Sequence, residues 1–186
     1  MYINTTGYYI PNGRVYNDHF LNVNGLTSDW ILKRTGIFSR SKAAENEGHN
    51  SMGLNAIADA VAKLSYDIKE VDLIVSASYS PYDTVATLAH ITQQKYDIPN
   101  MKAVYASAAC SSFVNGLEII EGYFAMGKAK KHYWCVLSII HTTAMKVIQN
   151  VVTCGVMAQL LFSYQQSAKM RMTPRLSRYT LEGWVM

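Results

Sequence analysis

Val71 to Ala77, VDLIVSA, is a short continuous run of apolar and small residues, and it limits the chain's choices more than any other segment. It suits a strand covered on both faces, the kind that parallel sheets contain. Lys102 to Ser107, KAVYAS, reads as a second such strand. Between and around them stand helical stretches. Ser51 to Leu64 places Met52, Leu54, Ile57, Ala58, Val61 and Leu64 largely on one face. Thr84 to Gln94 is a second expected helix, broken by Tyr96-Asp97-Ile98-Pro99-Asn100. Ser111 to Met126 is a third: Phe113, Leu117, Ile120 and Phe124 form an apolar stripe, and Gly127 stands where a C-terminal glycine belongs. Strands alternating with helices predict an α/β architecture with a mostly buried sheet.

Upstream, Tyr2 to Ile10 has the β-branched and aromatic content of a strand, followed by Pro11-Asn12-Gly13 turn chemistry. Thr27-Ser28-Asp29 offers caps for a short helix from Trp30, which Gly36 can close. Downstream of His132 the sequence shows neither a clear amphipathic period nor capped ends, and Ser167 to Tyr179 is basic and Met-rich.

A chain of 186 residues, 49% hydrophobic and 16% charged, can bury a sizeable core, so one globular domain is expected. No window approaches the roughly 20 apolar residues of a membrane span, and MYINTTGYYIPNG lacks the order of a secretory signal. The expected location is the cytoplasm, with no membrane partner. Three cysteines, Cys110, Cys135 and Cys154, show no CxxC or Cys/His spacing, which argues against a disulfide framework and a structural metal. The net charge of +4 is unevenly placed: there are 12 basic and 12 acidic residues up to Lys131, then 5 and 1. It is therefore a property of the tail, and no nucleic-acid partner is expected from it.

Cys110 lies between the Lys102 strand and the Ser111 helix, among Ala108, Ala109, Ser111 and Ser112. A thiol at a helix N-terminus faces unpaired backbone N–H groups and the positive end of the helix dipole, which favours the thiolate. Small neighbours permit a tight strand-to-helix turn that presents the side chain, as nucleophile elbows do. Free cysteines are also among the most buried residue types, so position alone leaves filler and nucleophile both open.

SAACSSF, between a strand and an amphipathic helix, resembles the nucleophile motif of the thiolase-like condensing enzymes, and most closely that of β-ketoacyl-acyl-carrier-protein synthase III. TSDWILKRTGIFSR, Thr27 to Arg40, is similar to that family's N-terminal coenzyme A segment, and DLIVSASYSPYDTVATLAH to its second strand and following loop. The resemblance runs nearly continuously over residues 1–131. It implies the N-terminal half of a thiolase-like fold, a layered α/β/α arrangement with a mixed sheet. It further implies that Cys110 takes an acyl group from acyl-CoA for condensation with malonyl-acyl carrier protein. Trp30 would stack on the coenzyme A adenine, and Arg34 would lie near the adenine or its phosphate. Tyr79 to Thr84 would lie near the acyl pocket. The acyl-CoA is a substrate, no cofactor or metal is implied, and full-length members form homodimers through this half. His19, His49 and His90 match no catalytic histidine of the family and are expected at surface or satisfied positions.

The family's thiolate is served by a histidine and an asparagine from the second half of a chain about twice this long. His141 and Asn150 lie in sequence that does not match those motifs. Two further readings follow: a truncated, inactive fragment, or another superfamily member such as a hydroxymethylglutaryl-CoA synthase-like protein. Residues 132–186 are expected to be a frameshifted tail. If one nucleotide was lost near Lys130-Lys131, single-codon residues force parts of the original frame. Trp134-Cys135, Met145-Lys146, Met157-Ala158, Met172-Thr173 and Trp184-Val185 become Val, Glu, Gly, Asp and Gly. With allowed synonymous codons, His132 to Gln159 becomes ALLVCSEHNTYYGNESDPKCGHLWGDGA, which has the family's apolar strand and GDGA turn. A tail without the next core strand is expected to leave apolar sheet surface uncovered.

Overall fold

The computed structural model describes residues 5–78, 81, 83–129, 132–138 and 159–165, with 132–138, 159–165, Asn24 and Cys110 as backbone only. The Val71 run is β3 (Val71–Ser78), in the interior of a four-stranded sheet. Every residue of it except Asp72 is buried, the burial that its unbroken apolar sequence requires. On one side it pairs in parallel with β4 (Lys102–Ala106), from Leu73 opposite Lys102 to Ala77 opposite Ala106. On the other it pairs in parallel with β5 (His132–Ser138), and β6 (Gln159–Gln165) closes that side antiparallel to β5. The sheet is therefore mixed, in the order β4-β3-β5-β6.

Helices cover both faces, because alternate residues of β3 point opposite ways. Ile74 packs with Ala56, Ile57 and Ala60 of α3 (His49–Val61) and Leu88 and Ala89 of α4 (Leu88–Tyr96). Leu73 and Val75 face α5 (Ser112–Ala125), where Ile120 is buried and Phe113, Leu117 and Phe124 are partly so. Each fully buried Leu, Ile or Val contributes about 1.5–3 kcal/mol, so the sheet core dominates stability. A small antiparallel pair, β1 (Gly13–Tyr16) with β2 (Ser39–Lys42), stands apart from the main sheet with α1 (His19–Asn24) and α2 (Ser28–Thr35) between them in sequence.

Helix ends follow the sequence signals closely. The Thr27 side chain accepts from the Trp30 N–H at 3.2 Å, and Gly36 closes α2 at φ 68°. Asp97 ends α4 in the left-handed region at φ 50°, and Gly127 follows α5 at φ 63°. The Thr84 helix begins four residues later than expected, at Leu88, since Asp83 instead accepts the Val85 N–H in a local turn.

Two expectations are corrected. Residues 5–10 form no strand; the first strand follows the Pro11-Asn12-Gly13 turn instead of preceding it. This segment lies against α3, so closely that a Cβ on Gly7 would stand 2.3 Å from the Ala56 carbonyl oxygen. The Tyr8 N–H is satisfied by the Asp59 carboxylate at 3.1 Å, so helix contacts replace a ladder. Tyr2 lies outside the described residues. The second correction concerns the tail, which supplies β5 and β6 where no core strand was expected. Tyr133, Trp134 and Val136 have high strand propensity, and the side of β3 away from β4 gives them a ladder. His141, Asn150, Cys154 and the basic stretch Ser167 to Tyr179 lie outside the described residues.

Candidate active site

The carboxyl end of β4 leads directly into the segment that carries Cys110. After Ala106 the chain leaves the sheet, and Ala109–Ser111 forms one 3-10 turn before α5 begins at Ser112. Ala109 sits at φ 48°, in the left-handed region that costs a residue with a Cβ roughly 1–2 kcal/mol. Two serines hold the turn in this shape. The Ala108 N–H donates to Ser112 Oγ at 2.8 Å, and that hydroxyl donates onward to the Ala109 carbonyl at 2.8 Å. Ser111 Oγ donates to the Ala108 carbonyl at 2.7 Å. Cys110 is thereby placed two residues before a 14-residue helix, at the positive end of its dipole. Its thiol falls outside the described side chains. A strained backbone at a strand-to-helix turn is a feature that nucleophile elbows use.

Trp30 and Arg34 stand one turn apart on α2, and the structure stacks them: the Arg34 guanidinium lies 4.6 Å from the Trp30 ring centre. Trp30 remains 39% exposed, so an aromatic surface is available to a ligand. Lys33, between them, pairs with Asp29 at 2.9 Å. A cleft of about 200 Å³ opens beside α2, with Asp29 and Leu32 on one wall and Tyr16 and Phe38 on another; Trp30, Arg34 and Cys110 do not line it. Arg40, which ends the RTGIFSR stretch, is structural: it is 4% exposed, donates to Asn17 Oδ1 at 2.8 Å and stacks on Phe20. Of the loop Tyr79 to Thr84, positions 79, 80 and 82 lie outside the described residues.

Each of the three histidines His19, His49 and His90 has a local partner. His90 Nδ1 lies 2.9 Å from Thr87 Oγ1, and His19 stacks edge-on against Phe20. His49, at the start of α3, is buried and lies 3.2 Å from Ser78 Oγ; burial lowers its pKa below 6.5, partly offset by a hydrogen bond to Asn50. Ser78 is the last residue of β3, and its carbonyl accepts from the Tyr105 hydroxyl at 2.6 Å. Sequence reading missed this cluster, because its members are 27 and 29 residues apart and no local motif joins them. Among the described residues no group of three or more His, Cys, Asp or Glu side chains is arranged to hold a metal ion, and no helix is long and apolar enough to cross a membrane.

No family model matches the chain. Curated relatives do. A β-ketoacyl-[acyl-carrier-protein] synthase III of Halalkalibacterium halodurans is 32% identical over 129 residues, which are 69% of this chain and 39% of that protein. The enzyme of that name from Neisseria gonorrhoeae is 36% identical over 129 residues. Among solved structures, the 3-oxoacyl-[acyl-carrier-protein] synthase III of Aquifex aeolicus superposes with a TM-score of 0.77 at 25% identity, over 90% of this chain and 54% of the other. The priming β-ketosynthase of the R1128 polyketide pathway does so with a TM-score of 0.73 at 23% identity. The chain thus spans about two fifths of the length of the curated relatives it matches. Over the matched stretch it is homologous to the synthase III condensing enzymes, and its mixed, helix-covered sheet is the thiolase-like α/β fold expected from the sequence.

Proposed function

We propose, from this homology, that the chain carries the acyl-loading half of a β-ketoacyl synthase III-type acyltransferase, with Cys110 as nucleophile. The Cys110 thiolate attacks the thioester carbonyl of acyl-CoA, the carbon–sulfur bond to coenzyme A breaks, and coenzyme A leaves as its thiol, taking up a proton. The acyl group, now a thioester on Cys110, is the acceptor for the carbanion that malonyl-acyl carrier protein yields on losing CO₂. A carbon–carbon bond forms and the cysteine is released. Trp30 and Arg34 hold the adenine end of coenzyme A, and the setting is cytoplasmic fatty acid synthesis with a homodimeric full-length enzyme.

The observation that carries this reading is the left-handed Ala109 turn, held by Ser111 and Ser112, at the one cysteine that SAACSSF marks. The test is mass spectrometry after incubation with acyl-CoA. An acyl adduct on Cys110 that disappears in Cys110→Ser is expected; a wild-type chain that stays unmodified overturns the reading.

We infer further that residues 132–186 are read in a shifted frame. Two observations support it: the curated matches extend over 129 of the 186 residues, and the charge excess lies wholly after Lys131. The strand at His132–Ser138 is compatible with this, since the shifted sequence ALLVCSE is also apolar at its start. Sequencing the gene decides the matter: nucleotides that cannot encode GDGA one position back exclude the shift.

A further inference from the structure

A buried imidazole is bonded to the last residue of β3, the strand beside β4, and has no part in the proposed chemistry. His49 is 7% exposed, with Nδ1 3.1 Å from Asn50 Oδ1 and Nε2 3.2 Å from Ser78 Oγ. An amide oxygen only accepts, so Nδ1 carries the proton and Nε2 accepts the Ser78 hydroxyl. Ser78 is wholly buried, and its carbonyl holds the Tyr105 hydroxyl. The chain of bonds therefore joins the start of α3 to the carboxyl end of β3 and on to β4, whose last residue is Ala106.

The place of this bridge matters more than its number of bonds. The β3–β4 ladder ends at Ala77 opposite Ala106. Ser78 is one residue beyond that end, and Ala109 is three residues beyond it on the other strand. A left-handed alanine persists only where its surroundings over-determine it. Ser111 and Ser112 shape the turn from within, and among the described residues their side-chain bonds reach only Ala108 and Ala109 and not the sheet. The His49–Ser78–Tyr105 bridge supplies a tie where the ladder stops.

We propose that His49 is a positioning residue for the Cys110 turn, acting through Ser78 and Tyr105 to hold the end of β4 in register beneath the left-handed Ala109. The proposal rests on the reading of Cys110 as a nucleophile. Its removal loosens the turn and withdraws the cysteine from the α5 N-terminus, which slows the thiol without touching it.

The experiment is alkylation of Cys110 by iodoacetamide at a fixed neutral pH, followed by peptide mass spectrometry and compared with glutathione. Wild-type Cys110 is expected to react faster than glutathione. His49→Ala and Ser78→Ala should each slow it by up to about tenfold, the scale of one lost buried hydrogen bond. His49→Gln, whose side-chain amide can still accept from Ser78, should restore most of the rate. Tyr105→Phe removes the last bond at a half-buried site and keeps the test available if His49→Ala does not fold. A His49→Ala chain that melts earlier but alkylates at the wild-type rate overturns the proposal and leaves the nucleophile reading standing. Wild-type Cys110 reacting no faster than glutathione removes the nucleophile reading and this proposal with it.

Discussion

The Arg34 guanidinium lies 4.6 Å from the centre of the Trp30 ring, one helical turn away on α2. The contact sets the guanidinium against the indole and leaves the ring 39% exposed, an aromatic surface open to a flat ligand. Thr27 caps the helix that carries both, so that surface rests on a defined backbone.

If adenine stacks there, Trp30→Ala removes one aromatic face. Base stacking on an aromatic side chain is worth about 1–3 kcal/mol, or roughly 5- to 150-fold in affinity. Calorimetric titration with coenzyme A should show a loss in that range for Trp30→Ala and a smaller one for Arg34→Lys. Unchanged binding in Trp30→Ala would remove the residue from the site.

Ala109 holds a left-handed conformation that glycine adopts freely. Ala109→Gly relieves that strain but adds freedom to the unfolded chain, so a net gain of about 0.5–1 kcal/mol is expected. For a chain of this size that is roughly 1–4 °C in Tm. Ala109→Val should destabilise, because a β-branched residue tolerates this region worst. Thermal melts of the two variants check both signs.

Ser76 lies on β3, 1% exposed, and its Oγ has no hydrogen-bond partner among the described residues. A buried unpaired hydroxyl costs roughly 1–3 kcal/mol. Ser76→Ala should therefore raise stability, by about 1 kcal/mol once the lost packing of one atom is set against it. Urea denaturation with a midpoint no higher than wild type would contradict this.

Burial lowers the His49 pKa below its ordinary 6.5, so the unfolded chain binds the proton more readily than the folded one. Stability from this group is complete above 6.5 and falls as the pH drops below that value. Tm should decline on acidification from neutral pH in the wild type, and His49→Gln should lose that part of the decline. Asp59 and Glu47 have lowered pKa values through hydrogen bonds to Lys63 and Tyr9 respectively, and their effect appears only at lower pH, in the carboxylate range.

Elements bounded by local chemistry were legible in the sequence. β3 was bounded to one residue by its apolar run, and α2 by Thr27 and Gly36, because capping and glycine conformation act within a few residues. The turn at Cys110 was legible for the same reason: small residues between a strand and an apolar-striped helix leave few other geometries. Residues 5–10 were misread because strand propensity describes a half-buried extended segment and does not say whether sheet or helix buries it. Gly7 against Ala56 decided that. The tail strands were missed because no turn signals bound them; their pairing depends on the side of β3 away from β4.

The sequence by itself determined the α/β order, the position of Cys110 before α5, and the proximity of Trp30 to Arg34 on one helix face, since all three follow from periodicities and caps acting over a few residues. Tertiary structure alone decided which side of β3 the tail occupies and that His49, Ser78 and Tyr105 meet at the carboxyl edge of the sheet. These are contacts between residues 27 or more positions apart, and only the folded sheet brings such groups within hydrogen-bonding distance.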